Sequence, residues 1–187
     1  MSFYIEYFQE LNKKISMVDE QLLEKSVDLI TNTSKKGKKV IIIGNGGSAA
    51  MASHVAVDLT KNAGIRSINF NEADLLTCFS NDYGYEEWVK YALEFYADKG
   101  DLGIFISSSG SSKNIINGAM KAKILGMEII TLSGFSQKNI LRNLGNINLF
   151  VESRSYNIVE MTHHIWLLAI VDRIIGKVKN ENISNRE

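Results

Sequence analysis

Between residues 2 and 35, apolar side chains recur at Phe3, Tyr7, Phe8, Leu11 and Ile15, then at Val18, Leu22, Val27, Leu29 and Ile30. The first set keeps a spacing near that of one helix turn and the second a looser one, which predicts two helices. Ser16 with Asp19 three residues on has the form of a capping box for the second start, and Gly37 after Lys35 and Lys36 is its expected stop. The aromatic positions of the first helix suit either a core or a contact between subunits.

From Lys38 onward the pattern changes to short apolar runs at 40–43, 67–70, 102–106, 128–132 and 147–151. Consecutive rather than alternating apolar positions indicate strands covered on both faces, and their alternation with helical segments makes them parallel. Helices are expected over 48–62, 72–80, 85–97, 113–125 and 137–144, with a last long one from Tyr156 to about Gly176 and a polar tail at 178–187 that frays. The expected architecture is a single α/β domain over 1–187. It has a doubly wound, five-stranded parallel sheet in the flavodoxin-like order 2-1-3-4-5, an N-terminal helical pair over 1–36 and a long C-terminal helix. In that order the first and third strands are neighbours whose connections leave in opposite directions, and the crevice between them is where such sheets bind ligands. Its walls would be 44–48 and 107–112.

Those two turns carry the chemistry. In Gly44-Asn45-Gly46-Gly47-Ser48 the glycines permit close approach of backbone amides to an anion, and a helix beginning near Ser48 adds its free N–H groups and positive end. The plainer reading is a tight strand-to-helix turn. Ser107-Ser108-Ser109-Gly110-Ser111-Ser112 offers five hydroxyls around one glycine; each can donate to a phosphate oxygen, and Ser112 stands where it could cap the next helix. Hydroxyls without a cation point to a small phosphate monoester rather than a triphosphate, whose Gly-Lys-Ser/Thr loop is missing. Gly44-x-Gly46-x-x-Ala49 also fits a dinucleotide pattern. The ribose-binding acid is absent from Asn69-Phe70-Asn71, with Glu72 late.

His54 and Asp58, four apart, share a helix face on the crevice wall or form a plain surface pair. Asn81-Asp82-Tyr83-Gly84 is a turn signal, with Asp82 either capping the next helix or contacting a ligand. On the last helix Glu160 and Leu167 lie along one line, flanked by His163 and His164, a set that could supply an acid–base pair, a metal ligand or mere surface decoration. Ile165, Trp166, Leu167, Leu168 and Ile170 make that helix apolar nearly all round, as expected for burial between subunits.

Composition narrows the partners. Lys+Arg and Asp+Glu both number 21, so no global positive field draws the chain to nucleic acid or membrane. The N-terminus, with Glu6 and Glu10 among its aromatics, lacks the order of a signal peptide, and Cys78 is the lone cysteine. A cytoplasmic location is expected.

The segments GNGGSAA, FSNDYGY, ISSSGSSKNI, AKILGMEIITLSG and YNIVEMTHHIWLLAIVDRI resemble the sugar isomerase (SIS) domain family, in its phosphoheptose isomerase branch, over nearly the whole chain. The resemblance implies a homotetramer with sites at subunit interfaces. It would interconvert sedoheptulose 7-phosphate and glycero-manno-heptose 7-phosphate, for lipopolysaccharide or capsule precursors. It implies that Ser107, Ser108, Ser109 and Ser112 hold the phosphate of a small phosphorylated sugar, and that Asn45, Gly46, Gly47, Asn81 and Asp82 contact the substrate beside Ser48. Aldose–ketose exchange needs a base for the carbon-bound proton and an acid for the oxygens. The family's catalytic glutamate falls at Asp58, its catalytic histidine at Leu167 and a glutamine at Val159. With those changes Asp58 is expected as base and His163 or His164 as acid. No cofactor is expected; the family's zinc set is reduced to His54 and Asp58, where any metal would fall. The alternative is a non-catalytic sugar-phosphate-binding protein, a regulatory or replication-initiator-associated adaptor.

Overall fold

The computed structural model describes residues 2–184, with side chains described to Lys177. Helices α1 (Phe3–Ser16) and α2 (Glu20–Lys35) form the expected N-terminal pair. Asp19 rather than Ser16 starts α2: its carboxylate accepts from the Gln21 amide at 2.9 Å, whereas the Ser16 hydroxyl donates back to the Asn12 carbonyl at 3.0 Å. Ser16 is still inside the preceding helix, so it cannot reach the free amides of the next.

The sheet consists of β1 (Val40–Ile43), β2 (Ser67–Ile68), β3 (Leu102–Ser107), β4 (Glu128–Gly134) and β5 (Ile147–Val151), all parallel, in the order β2-β1-β3-β4-β5. Helices α3 (Gly47–Lys61), α4 (Ala73–Tyr83), α5 (Trp88–Tyr96), α6 (Lys113–Ile124) and α7 (Tyr156–Ser184) complete it. Successive strand residues feed opposite layers. Val40, Ile42, Leu102, Ile104 and Ile106 pack with apolar residues of α2, α3 and α7, whereas Ile41, Ile43 and Phe105 pack with those of α5 and α6. Burial of every position is why β1 and β3 read as unbroken apolar runs.

Four further expectations are corrected. The strand expected over 67–70 ends at Ile68, because the Asn69 side chain accepts from the Asn71 amide at 3.0 Å and turns the chain out of this edge strand. The helix expected over 137–144 is one 3₁₀ turn, Leu141–Asn143. There Asn139 competes with helical bonding: its amide donates to Ser133 Oγ, Gly134 O and Ser136 O, and its oxygen accepts from the Arg142 amide at 2.9 Å. Asn81 and Asp82 lie in the last turn of α4, which ends at Gly84, and Glu87 rather than Asp82 holds the N-cap of α5. Finally, α7 passes Gly176 and continues to Ser184. A helical glycine costs about 1 kcal/mol relative to alanine, which weakens a helix without ending it. Of the tail expected to fray, 185–187 lie outside the described residues.

Candidate active site

Because β1 and β3 pair directly while α3 packs on one layer and α6 on the other, both helices start at the same edge of the sheet. Gly46, at φ +53°, occupies the N-cap of α3 and turns the chain from strand to helix. Asn45 reaches across the crevice. Its amide donates to Asn114 Oδ1 at 3.0 Å and its oxygen accepts from Asn114 Nδ2 at 2.8 Å and from the Tyr85 hydroxyl at 3.2 Å. Asn114 lies in the first turn of α6, so the amide pair stitches the two expected walls together.

On the other wall, Ser107 Oγ donates to Ser112 Oγ at 3.0 Å, and Ser112 holds the N-cap position of α6 without spending its hydroxyl on a cap. Ser109 Oγ accepts from the Ser111 amide at 3.2 Å. Gly110, at φ +64°, lies against the Asn139 side chain so closely that a Cβ would overlap it. Ser108 is 5% exposed, and its hydroxyl has no hydrogen-bond partner among the described residues. A buried hydroxyl without a partner carries a desolvation cost that an incoming acceptor would relieve.

Between the walls is a cavity of about 100 Å³ lined by Asn45, Ser48, Ile106 and serines 107, 108, 109 and 112, with Tyr156 and Glu160 from α7 closing it. No lysine or arginine lines it. Lys113, the nearest in sequence, is turned outward to Glu86 at 2.8 Å. An anion placed there would meet hydroxyls and the N-terminal amides of α3 and α6 rather than a cation. The volume suits an oxyanion and is below that of a whole sugar-phosphate pocket, so a sugar would extend out into the crevice.

The other candidates lie elsewhere. Asn81 and Asp82 are exposed, bonded to one another at 3.0 Å, and do not line the cavity. His54, Asp58 and His164 form a chain between α3 and α7: His54 Nδ1 is 3.0 Å from His164 Nε2, and His54 Nε2 is 3.3 Å from Asp58 Oδ2. Asp58 Oδ1 accepts from Asn62 at 3.0 Å. Burial, then the neighbouring His54, push the His164 pKa down. None of the three lines the cavity. His163 is corrected as a candidate acid. It is fully buried, with Nε2 at 3.1 Å from the Ser133 carbonyl, Nδ1 unpartnered among the described residues, and a pKa pushed down to about 4 by burial. The zinc implied by the resemblance does not fit the residues present. His54 spends both ring nitrogens on neighbours, and no group of three or more His, Cys, Asp or Glu among the described residues is arranged to hold a metal.

Sequence reasoning missed Tyr85, Asn114 and Tyr156, and grouped Glu160 with the histidines rather than with the serine turn. The available signal was position: Asn114 lies in the first turn of α6 and Tyr156 opens α7.

This arrangement is a doubly wound α/β domain with a serine-lined cavity, without lysine or arginine in its lining, at the switch point of a parallel sheet. Residues 3–134 match the family model described as the SIS domain, and the chain belongs to the SIS domain family. Its relatives place it in the phosphoheptose isomerase branch. It is 33% identical to a phosphoheptose isomerase of Helicobacter pylori (strain P12) over 96% of this chain and 95% of that protein. It is 37% identical to one of Aliarcobacter butzleri (strain RM4018) over 83% of this chain and 85% of that protein. Solved phosphoheptose isomerases share the fold. That of Francisella tularensis superposes with a TM-score of 0.84 at 23% identity, covering 93% of this chain and 95% of that one. That of Neisseria gonorrhoeae gives 0.82 at 24% identity, covering 91% and 94%. Among the described residues no helix is long and apolar enough to cross a membrane.

Proposed function

We propose that this protein is a phosphosugar aldose–ketose isomerase of the cytoplasm. Its substrate in this reading is sedoheptulose 7-phosphate or a closely related sugar phosphate, and its product glycero-manno-heptose 7-phosphate or the matching aldose, a precursor for lipopolysaccharide or capsule. The observation that carries the reading is the buried, unpartnered Ser108 hydroxyl in a cavity ringed by four more serines and two helix starts. A phosphate monoester supplies an acceptor for the Ser108 hydroxyl. The phosphate sits on Ser107, Ser108, Ser109 and Ser112, and Asn45, Gly46, Gly47 and Ser48 face the sugar. In this reading the protein is a homotetramer with sites at subunit interfaces.

Purified protein is expected to convert sedoheptulose 7-phosphate to its aldose, followed by NMR across a panel of pentose, hexose and heptose phosphates. Ser109→Ala, which removes one charge-assisted hydrogen bond, is expected to weaken binding by roughly tenfold. One observation supports the binding-only reading: Val159 and Leu167, where the resemblance places the family's glutamine and histidine, are at most 1% exposed and contribute only apolar packing. A sugar phosphate that raises Tm while no member of the panel turns over would select that reading.

A further inference from the structure

We propose that Glu160 is the catalytic carboxylate that moves the carbon-bound proton, an inference that rests on the isomerase reading. Glu160 lies in the second turn of α7 and is the one carboxylate lining the cavity that holds the serine turn. Among the described residues no hydrogen bond or ion pair occupies it. A half-buried, unpaired carboxylate works against anion binding, since it repels the phosphate the serines attract. Binding alone gives no reason for its presence; proton abstraction does.

Its position is set by Gly47. A Cβ on Gly47 would stand 3.0 Å from Glu160 Cδ and overlap its Oε2, so α3 opens with the one residue that leaves space for this carboxylate. Glu160 thereby rests against the first turn of α3, beside the serine turn that lines the same cavity. The competing carboxylate, Asp58, is eleven residues beyond Gly47, about 16 Å along the helix. Both of its oxygens are engaged, by Asn62 and His54.

The step is balanced without a co-reactant. A proton passes from C1 of the open ketose to a Glu160 oxygen, the C1–H electron pair becomes the C1=C2 bond, and the carbonyl pair moves onto O2, which takes up a proton. The resulting enediol loses its O1 proton as the C1=O bond forms, and Glu160 returns its proton to C2. Oxidation at C1 is matched by reduction at C2.

The test follows sedoheptulose 7-phosphate in D2O by NMR, reading both turnover and deuterium entry at the exchanging carbon. Glu160→Gln is expected to lower kcat by on the order of 10² to 10⁴ and to abolish exchange, with KM changed by less than about threefold. Glu160→Asp should recover part of the exchange. Gly47→Ala, which retains the glutamate but displaces it, should lower exchange at least about tenfold and serves if the Gln variant fails to fold. Wild-type exchange in Glu160→Gln, or loss of exchange in Asp58→Asn with retention in Glu160→Gln, overturns the assignment and leaves the isomerase reading standing. A wild-type protein that neither exchanges nor turns over any phosphosugar overturns that reading itself.

Discussion

His163 and His164 are neighbours in the chain with opposite fates. One lies wholly inside the core against the Ser133 carbonyl, and the other reaches His54 on the outer flank. Burial keeps His163 neutral, with a pKa pushed down to about 4, the hydrogen bond to Ser133 opposing only in part. The unfolded chain takes up that proton near pH 6.5. Stability contributed by the neutral ring is therefore complete above about pH 6.5 and is lost as pH falls toward 4, by about 3 kcal/mol in all. His164, lowered by burial, acts with the same sign. Urea unfolding at pH 7 and pH 5 should show wild type losing about 2 kcal/mol and His163→Gln distinctly less. Equal losses would mean that other groups set the acid sensitivity. Adjacent residues differ by 100° around a helix, and neither sequence nor spacing says which of two histidines faces inward. The serine turn was legible in its composition, yet the cavity it lines is shared with Tyr156 and Glu160, over forty residues away.

Among the elements, β1 and β3 were legible because each of their residues is buried, so hydrophobicity marks them without a gap. The segment over 137–144 was not, since Asn139 bonds to groups of β4 that have no sequence signal at 139. The start of the sheet is pinned by another such side chain. Asp101, 1% exposed, accepts from the Lys39 amide at 3.0 Å and the Asp98 amide at 2.8 Å, and pairs with Lys39 Nζ at 2.6 Å. Burial works against the Lys39 charge, but its hydrogen bonds to Asp101 and Asp98 outweigh that and raise its pKa. Asp101→Ala leaves two amides and an ammonium without this acceptor. It is expected to cost about 3 kcal/mol in urea unfolding. A change below about 0.5 kcal/mol would show that water replaces the carboxylate.

For the whole molecule, α1 buries no residue, and Phe3, Tyr4 and Phe8 are 70, 69 and 61% exposed. Contiguous exposed aromatics of this size mark an interaction surface, which suits the proposed homotetramer. Phe8→Glu is expected to shift the mass read by light scattering from tetramer toward smaller species with an unchanged circular dichroism spectrum. A tetramer that survives the change would place the interface elsewhere. Local patterning was enough for the parallel sheet, its strand order and the two turns at its switch point, because periodicity and glycine or serine chemistry act over a few residues. Only the tertiary packing decided that Glu160 rather than His163 closes the cavity, that Asp58 lies down the flank, and that Asn45 meets Asn114. Each of those contacts joins residues far apart in the chain, and its geometry comes from how α3, α6 and α7 seat on one sheet.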